Sequence, residues 1–225
     1  MYKRQGYNTV DGGWFLVNGE DQDMIKEKYE AVWKQIAERF SDYDEHLIFE
    51  SMNEESDGTY DGEPNKEYYA NLNQYNQIFV DTVRGTGEKN THRWLLVPGW
   101  NTNIEYTVGD YGFEMPTDEK CSAGESRMMV SVHYYDPWDY CGTEDLKTIL
   151  WGDYGLNLID TYGFSKMNYP KWGDQAYLDE QFQKLHDKFV ANDIPVIIGE
   201  YGCIDKSSAY ADFSGQLQGN RAYWD

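Results

Sequence analysis

Two glutamates in this chain each close a short apolar run. Glu54 ends the stretch LIFESMNE (residues 47–54), and Glu200 ends IPVIIGE (residues 194–200). Leu-Ile-Phe and Val-Ile-Ile are strand formers. Both carboxylates are therefore expected just past buried strands, where parallel α/β sheets mount their chemistry. They lie 200 − 54 = 146 residues apart in sequence. Two carboxyl groups flanking one bond are what glycoside hydrolysis requires, about 5–5.5 Å apart for retention and about 6.5–9.5 Å for inversion. Either residue alone reads as an ordinary surface acid, because the chain holds 40 acidic residues. Their neighbours set them apart. Asn53 offers an amide to a sugar hydroxyl, and HYYDPW brings His133 and Tyr135 to a third strand end. Glu50 falls inside its strand and reads as a hydrogen-bonded structural acid. Trp14, Trp100 and Trp138 lie on or near loops that follow strands, where a ring can stack on a sugar face. Core packing is the alternative for each.

The elements that must carry these residues follow from periodicity. A helix is expected over 21–40, with Ile25, Tyr29, Val32, Trp33, Ile36 and Phe40 on one face. A second is expected over about 66–84, with Tyr69, Leu72, Tyr75, Phe79 and Val83 inward. A third is expected over about 175–190, with Leu178, Phe182, Leu185 and Phe189 inward. Strands are expected over 47–52, 94–98, 128–132 and 195–198. The run WLLVP has no polar alternation, so both its faces must be covered, which marks a parallel sheet. Residues 1–20 read as loop, and 102–126 and about 136–173 as long insertions, a length that is usually functional or mobile. The tail from 203 is polar, with a helix beginning near 221–224. Strands alternating with helices imply right-handed crossovers and a parallel sheet. No Gly-rich phosphate fingerprint follows a strand, so the pattern fits a (β/α) barrel better than a dinucleotide fold.

Composition narrows the partners. The net charge of −21 argues against nucleic acid and anionic membrane surfaces. Eight Trp and 20 Tyr favour rings lining a cleft over core packing alone. Cys121, Cys141 and Cys203 form no CxxC pair, and His46, His92 and His186 have no partner at metal-ligand spacing, so no metal is expected. The odd cysteine count leaves a thiol over unless chains pair through it. No apolar run reaches transmembrane length. Met1 is followed by YKRQGYNTV, which has no signal-peptide core, although the acidic, aromatic-rich composition suits a secreted protein.

Four stretches, LIFESMNE, VPGWNTN, VSVHYYDPW and IPVIIGEYG, resemble those of glycoside hydrolase family 5 in its bacterial endoglucanase branch, in the same order and at suitable spacing. VDGGWFLVNG resembles the loop after that family's third strand. The resemblance implies a (β/α)8 barrel of TIM type and an endo-acting β-1,4-glucanase that works with retention, without a cofactor. It implies Glu54 as general acid/base and Glu200 as nucleophile. Asn53 matches the residue that holds the 2-hydroxyl of the reacting sugar, and His133 and Tyr135 match the pair around the nucleophile. Asn101, in VPGWNTN, is expected to touch substrate. Glu55 stands where the family usually has Pro, which leaves the Asn-Glu pair intact but alters the loop.

The resemblance also implies that only about the fourth to seventh strands of the barrel are present. The chain is thus expected to be one partial-barrel catalytic domain over residues 1–225. It would lack the family's second-strand Arg, third-strand His and eighth-strand Trp; Trp224 is expected on the preceding helix. Open sheet edges then call for a homo-oligomer. Two other readings compete with a β-glucan hydrolase: a non-catalytic carbohydrate-binding remnant, and an acid-rich metal-dependent hydrolase.

Overall fold

A computed structural model describes residues 13–58 and 62–225. The expected loop over 1–20 is therefore seen only from Gly13 onward, and residues 10–12 of VDGGWFLVNG lie outside the described residues. The chain divides into two compact units: Met1–Val132 with Asp187–Ile197, and His133–His186 with Ile198–Asp225.

The first unit is built on helices α1 (Gln22–Arg39) and α2 (Lys66–Gly85) and on strands β1 (Phe49–Glu50), β2 (Leu95–Pro98), β3 (Met128–Tyr134) and β4 (Val196–Tyr201). The last two strands run on into the second unit. Strand order follows chain order, β1-β2-β3-β4. All four strands are parallel. Phe49 pairs with Leu95, and Leu95 to Pro98 pair with Met128 to Ser131. The Val130 N–H donates to the Pro195 carbonyl at 2.9 Å. Every residue of β2 and β3 is buried, as the unbroken apolar run of β2 requires.

Helix α1 starts at Asp21, whose carboxylate accepts from the Met24 N–H at 3.0 Å. It buries Ile25, Tyr29, Trp33 and Ala37, a strict i, i+4 stripe. Val32 is not on that stripe and is 41% exposed, contrary to the expected face. Helix α2 is capped by Asn65, which accepts from the Glu67 and Tyr68 N–H groups. It buries all five expected residues and, in addition, Asn76, Val80 and Arg84. Aromatic rings join the two helices: Trp33 meets Phe79 with centroids 4.4 Å apart, and Tyr29 meets Tyr75 at 5.6 Å.

Strand β1 is shorter than the expected 47–52. The carbonyls on either side are taken by side chains. The Leu47 oxygen accepts from Arg93 Nη1 at 2.6 Å. The Ser51 oxygen accepts from Tyr29 Oη at 2.7 Å and Trp33 Nε1 at 3.2 Å. The third and fourth strands are longer than expected, so His133 and Glu200 lie within strands rather than past them.

The insertion over 102–126 holds a short helix, α3 (Ile104–Val108), and is otherwise fixed to α2 by side chains. Asn73 Nδ2 donates to the Gly112 carbonyl at 2.7 Å, and Gln77 Oε1 accepts from the Thr117 N–H at 2.9 Å. Arg84 forms a buried, two-point pair with Asp118, at 2.8 and 2.9 Å.

The second unit contains α4 (Trp138–Cys141), α5 (Gly152–Tyr162), most of α6 (Gln175–Lys188) and α7 (Ser214–Trp224). The expected insertion thus includes two helices, and the tail helix is eleven residues long rather than a short start near 221. Trp224 does lie on that helix. Ile149, Leu150, Leu158 and Leu217 make a small core. Asn220 and the Trp151 backbone exchange two buried hydrogen bonds at 2.7 Å, which tie α7 to the start of α5. Tyr134 stacks on Trp224 with an interplanar angle of 16°.

Candidate active site

In the first unit two of the expected site residues, Asn53 and Glu54, sit in the irregular stretch after β1. A buried polar relay sets where that stretch begins. The Ser51 carbonyl is held by Tyr29 and Trp33, and Ser51 Oγ donates to Asn76 Oδ1 at 2.6 Å. Asn76 Nδ2 in turn donates to the Pro98 carbonyl at the end of β2, at 2.9 Å. Asn76 is fully buried in α2, and only this relay explains an amide at that depth. Two residues further on, Asn53 and Glu54 are both half-buried. Glu50 accepts from Ser131 Oγ at 2.6 Å, so it does bond within the sheet as a structural acid should.

Glu55 differs from its neighbour. It is 3% exposed, and burial raises its carboxyl to about 8. Its backbone carbonyl accepts from the Asn101 N–H at 2.9 Å, which joins the stretch after β1 to the stretch after β2. That second stretch is strained. Asn101 and Thr102 have φ of 52° and 50°. For a β-branched residue this is a true outlier, of the kind that clusters at functional sites. It is held by the Thr102 N–H to Gly99 carbonyl bond at 3.1 Å and the Asn103 N–H to Trp100 carbonyl bond at 3.0 Å. Asn101 Oδ1 is buried and makes no hydrogen bond with the described residues. Gly99 permits the turn: a Cβ there would lie 2.2 Å from Thr107 Oγ1 and 2.8 Å from the Tyr69 hydroxyl.

The expectation for Trp100 is corrected here. It is 3% exposed and belongs to the core of the first unit, tilted against Tyr69 at 5.7 Å. A covered ring has no face to offer a sugar, so Trp100 is a packing residue. Trp14 is half-buried, with Phe15 against its edge and Lys28 Nζ 5.6 Å from its ring centre.

In the second unit three side chains converge. The Tyr135 hydroxyl donates to Glu200 Oε2 at 3.2 Å, and His133 Nδ1 lies 3.5 Å from the same oxygen. His133 is buried in β3, while the Glu200 side chain keeps 32% exposure. This is a carboxylate held by a phenol and an imidazole yet still open to a ligand. Trp138 is 55% exposed and meets Tyr135 edge to face at 6.2 Å. Its ring lies so close over Gly142 that a Cβ there would come within 2.3 Å of it. The glycine therefore leaves the space that the Trp138 ring occupies.

Sequence reasoning missed Asn76, the burial of Glu55 and the strain at Thr102. An acid in the place of the usual Pro was the only signal for Glu55. A polar residue on the apolar face of α2 was the signal for Asn76. Nothing in the sequence marks Thr102.

Residues 10–225 match the model of the cellulase family, glycosyl hydrolase family 5. The chain is 52% identical over 207 residues to Endoglucanase A of Paenibacillus barcinonensis, covering 90% of this chain and 50% of that protein. It is 35% identical over 194 residues to a xyloglucan-specific endo-beta-1,4-glucanase of Bacteroides ovatus, covering 85% and 36%. Among solved structures, a family 5 xyloglucanase from Paenibacillus pabuli superposes with a TM-score of 0.87 at 51% identity, over 98% of this chain and 59% of that one. The Bacteroides ovatus xyloglucanase in complex with a XXXG heptasaccharide gives 0.80 at 31% identity, over 95% and 44%. The chain spans half or less of the length of these curated relatives. Its strands and helices are those of a partial (β/α)8 barrel, and the chain belongs to glycosyl hydrolase family 5.

Proposed function

We propose that this chain carries the catalytic carboxylates of an endo-acting β-1,4-glucanase that cleaves with retention. The observation that carries this reading is Glu200, a half-open carboxylate on β4 that accepts from Tyr135 and lies beside His133. A nucleophile needs its attacking oxygen aimed and ionised, and a phenol donor supplies both. Glu54 takes the acid/base role. In the first step it gives its proton to the leaving glycosidic oxygen while Glu200 attacks the anomeric carbon and forms a glycosyl ester. In the second it takes a proton from water, the water attacks the same carbon, and Glu200 leaves.

Asn53 binds the 2-hydroxyl of the reacting sugar. Trp138, with its exposed ring, stacks on a neighbouring sugar unit, and Trp14 and Asn101 contribute further contacts. The substrate is a β-1,4-glucan. Xyloglucan is included, because similar proteins are named for it. A polymer substrate places the protein outside the cell. Residues 1–225 act as one partial-barrel catalytic domain, and the chain by itself associates to cover its sheet edges.

The test is release of reducing ends from carboxymethylcellulose and xyloglucan, with and without chelator. Glu54→Gln and Glu200→Gln should each lower turnover at least about 10³-fold with the far-UV spectrum unchanged. Near-normal turnover in a natively folded Glu200→Gln would remove the nucleophile assignment. Loss of activity on chelation would favour a metal-dependent hydrolase. Glucan binding without hydrolysis by the unmodified chain would favour a carbohydrate-binding role.

A further inference from the structure

Two cysteines of the second unit play no part in the hydrolytic chemistry. Cys141 is the last residue of α4, and Cys203 stands two residues past β4. Both thiols are free, and their exposures are 2% and 6%. The backbone brings their stretches together, for the Ile204 N–H donates to the Cys141 carbonyl at 3.0 Å. Ordinary bond lengths and angles on either side of that hydrogen bond keep the two Cα atoms within about 7.8 Å. Disulfides join Cα atoms about 4.4–6.8 Å apart, a range that lies within this bound.

The electrostatics agree with this proximity. Burial, and next the Cys203 sulfur, push the Cys141 thiol up. Burial is also the largest influence on Cys203, which is pushed up to about 11. Lys206 and Arg221 are the cations acting on the pair, and Asp136 and Asp225 the acids. Lys206 is itself buried and is held by the carbonyls of Asp139 and Thr148 at 2.9 and 2.8 Å. Cys121 is half-exposed and belongs to the other unit, in the insertion before β3.

We propose that Cys141 and Cys203 are a disulfide site that closes when the chain folds in an oxidising medium, leaving Cys121 as the single free thiol. The oxidant is a small disulfide such as oxidised glutathione. One cysteine thiolate attacks it and releases one glutathione thiolate. The second cysteine attacks the mixed disulfide and releases the other. One protein S–S bond forms, one glutathione S–S bond breaks, and the two thiol protons pass to the departing thiolates. Thiols this poorly ionised and this well covered react slowly once packed. The bond therefore forms while the segment is still open. It ties the turn that carries Trp138 to the turn that follows Glu200, and it stands or falls independently of the catalytic assignments.

The experiment unfolds the whole chain and refolds it either in a glutathione redox buffer or in dithiothreitol. Free thiols are alkylated and peptides mapped without reduction. The expected map has one link, between the peptides of Cys141 and Cys203, with Cys121 alkylated. The oxidised form should melt at least roughly 5 °C above the reduced form. Cys141→Ala should abolish that difference, and Cys121→Ser should leave it intact. The same map on protein folded in an oxidising periplasm removes any dependence on refolding in vitro. Three alkylated cysteines in the oxidised, folded protein would overturn the proposal, as would a link that includes Cys121.

Discussion

Glu55 follows the proposed acid/base directly in sequence and is buried where Glu54 is half-buried. Its charge acts on Tyr29 and Tyr75, and each of these is pushed up by burial first and by Glu55 second among the raising influences. In the folded chain Glu55 loses its proton only near pH 8, against 4.5 for an ordinary glutamate. Between these values the folded state holds a proton that the unfolded state has lost. Stability is therefore full below about pH 4.5 and falls as pH rises, by about 1.4 kcal/mol per unit, until the slope ends near the folded value. Glu55→Gln keeps the shape and removes the titration. It should be the more stable protein at pH 7, and urea unfolding from pH 4.5 to 8 should show a flatter profile. An unchanged slope would mean that Glu55 is ionised in the fold. At this scale placement was legible: Asn53 and Glu54 fall just past β1, and Glu200 falls in the last residues of β4. It was not legible where depth decides. Trp100 and Trp138 both follow strands, yet one ring is covered and the other open, and only the packing of Tyr69 and Gly142 separates them.

Elements in the first unit are joined by buried guanidinium groups as much as by rings. Arg93 is 1% exposed, and all five of its N–H donors are used. They reach Asn90 and the carbonyls of Phe40, Tyr43, Asp44 and Leu47, which fixes the chain between α1 and β1. Lysine has three donors on a point charge and cannot serve this set. Arg93→Lys should destabilise by roughly 2–4 kcal/mol, read from denaturant midpoints, because it leaves buried carbonyls without partners. A loss under about 0.5 kcal/mol would show that the carbonyls find other donors. The helices were readable from apolar spacing, and α2 matches its expected face at every position. Strand β1 was not, because its ends are set by Arg93, Tyr29 and Trp33, which come from distant parts of the sequence. The two long insertions hid helices that are held by side chains from elsewhere, Tyr69 on the Tyr106 carbonyl of α3 and Asn220 on the Trp151 backbone at the start of α5, rather than marked by any local period.

For the whole molecule, the order β1-β2-β3-β4 gives a sheet with β1 and β4 outermost. No residue of β4 is buried; Ile198 is 37% exposed and Tyr201 61%. An outer strand with exposed apolar side chains invites pairing. The 225-residue chain on its own should scatter light as a dimer or larger, and its mass should fall on dilution. A monomer at every concentration would contradict this. The family was legible because four strand-end motifs keep their order across the chain. The exposure of β4 was not, since the run IPVIIGE reads as a buried strand.

In the proposed mechanism Glu200 becomes covalently bound to sugar. A 2-deoxy-2-fluoro β-cellobioside with a good leaving group slows the second step more than the first and traps that ester. Mass spectrometry of the peptide-mapped protein should then find one added fluorosugar on Glu200. Free glucan substrate should restore the unlabelled mass as turnover resumes. A label on any other carboxylate, or hydrolysis of the probe with inversion and no label at all, would contradict the account.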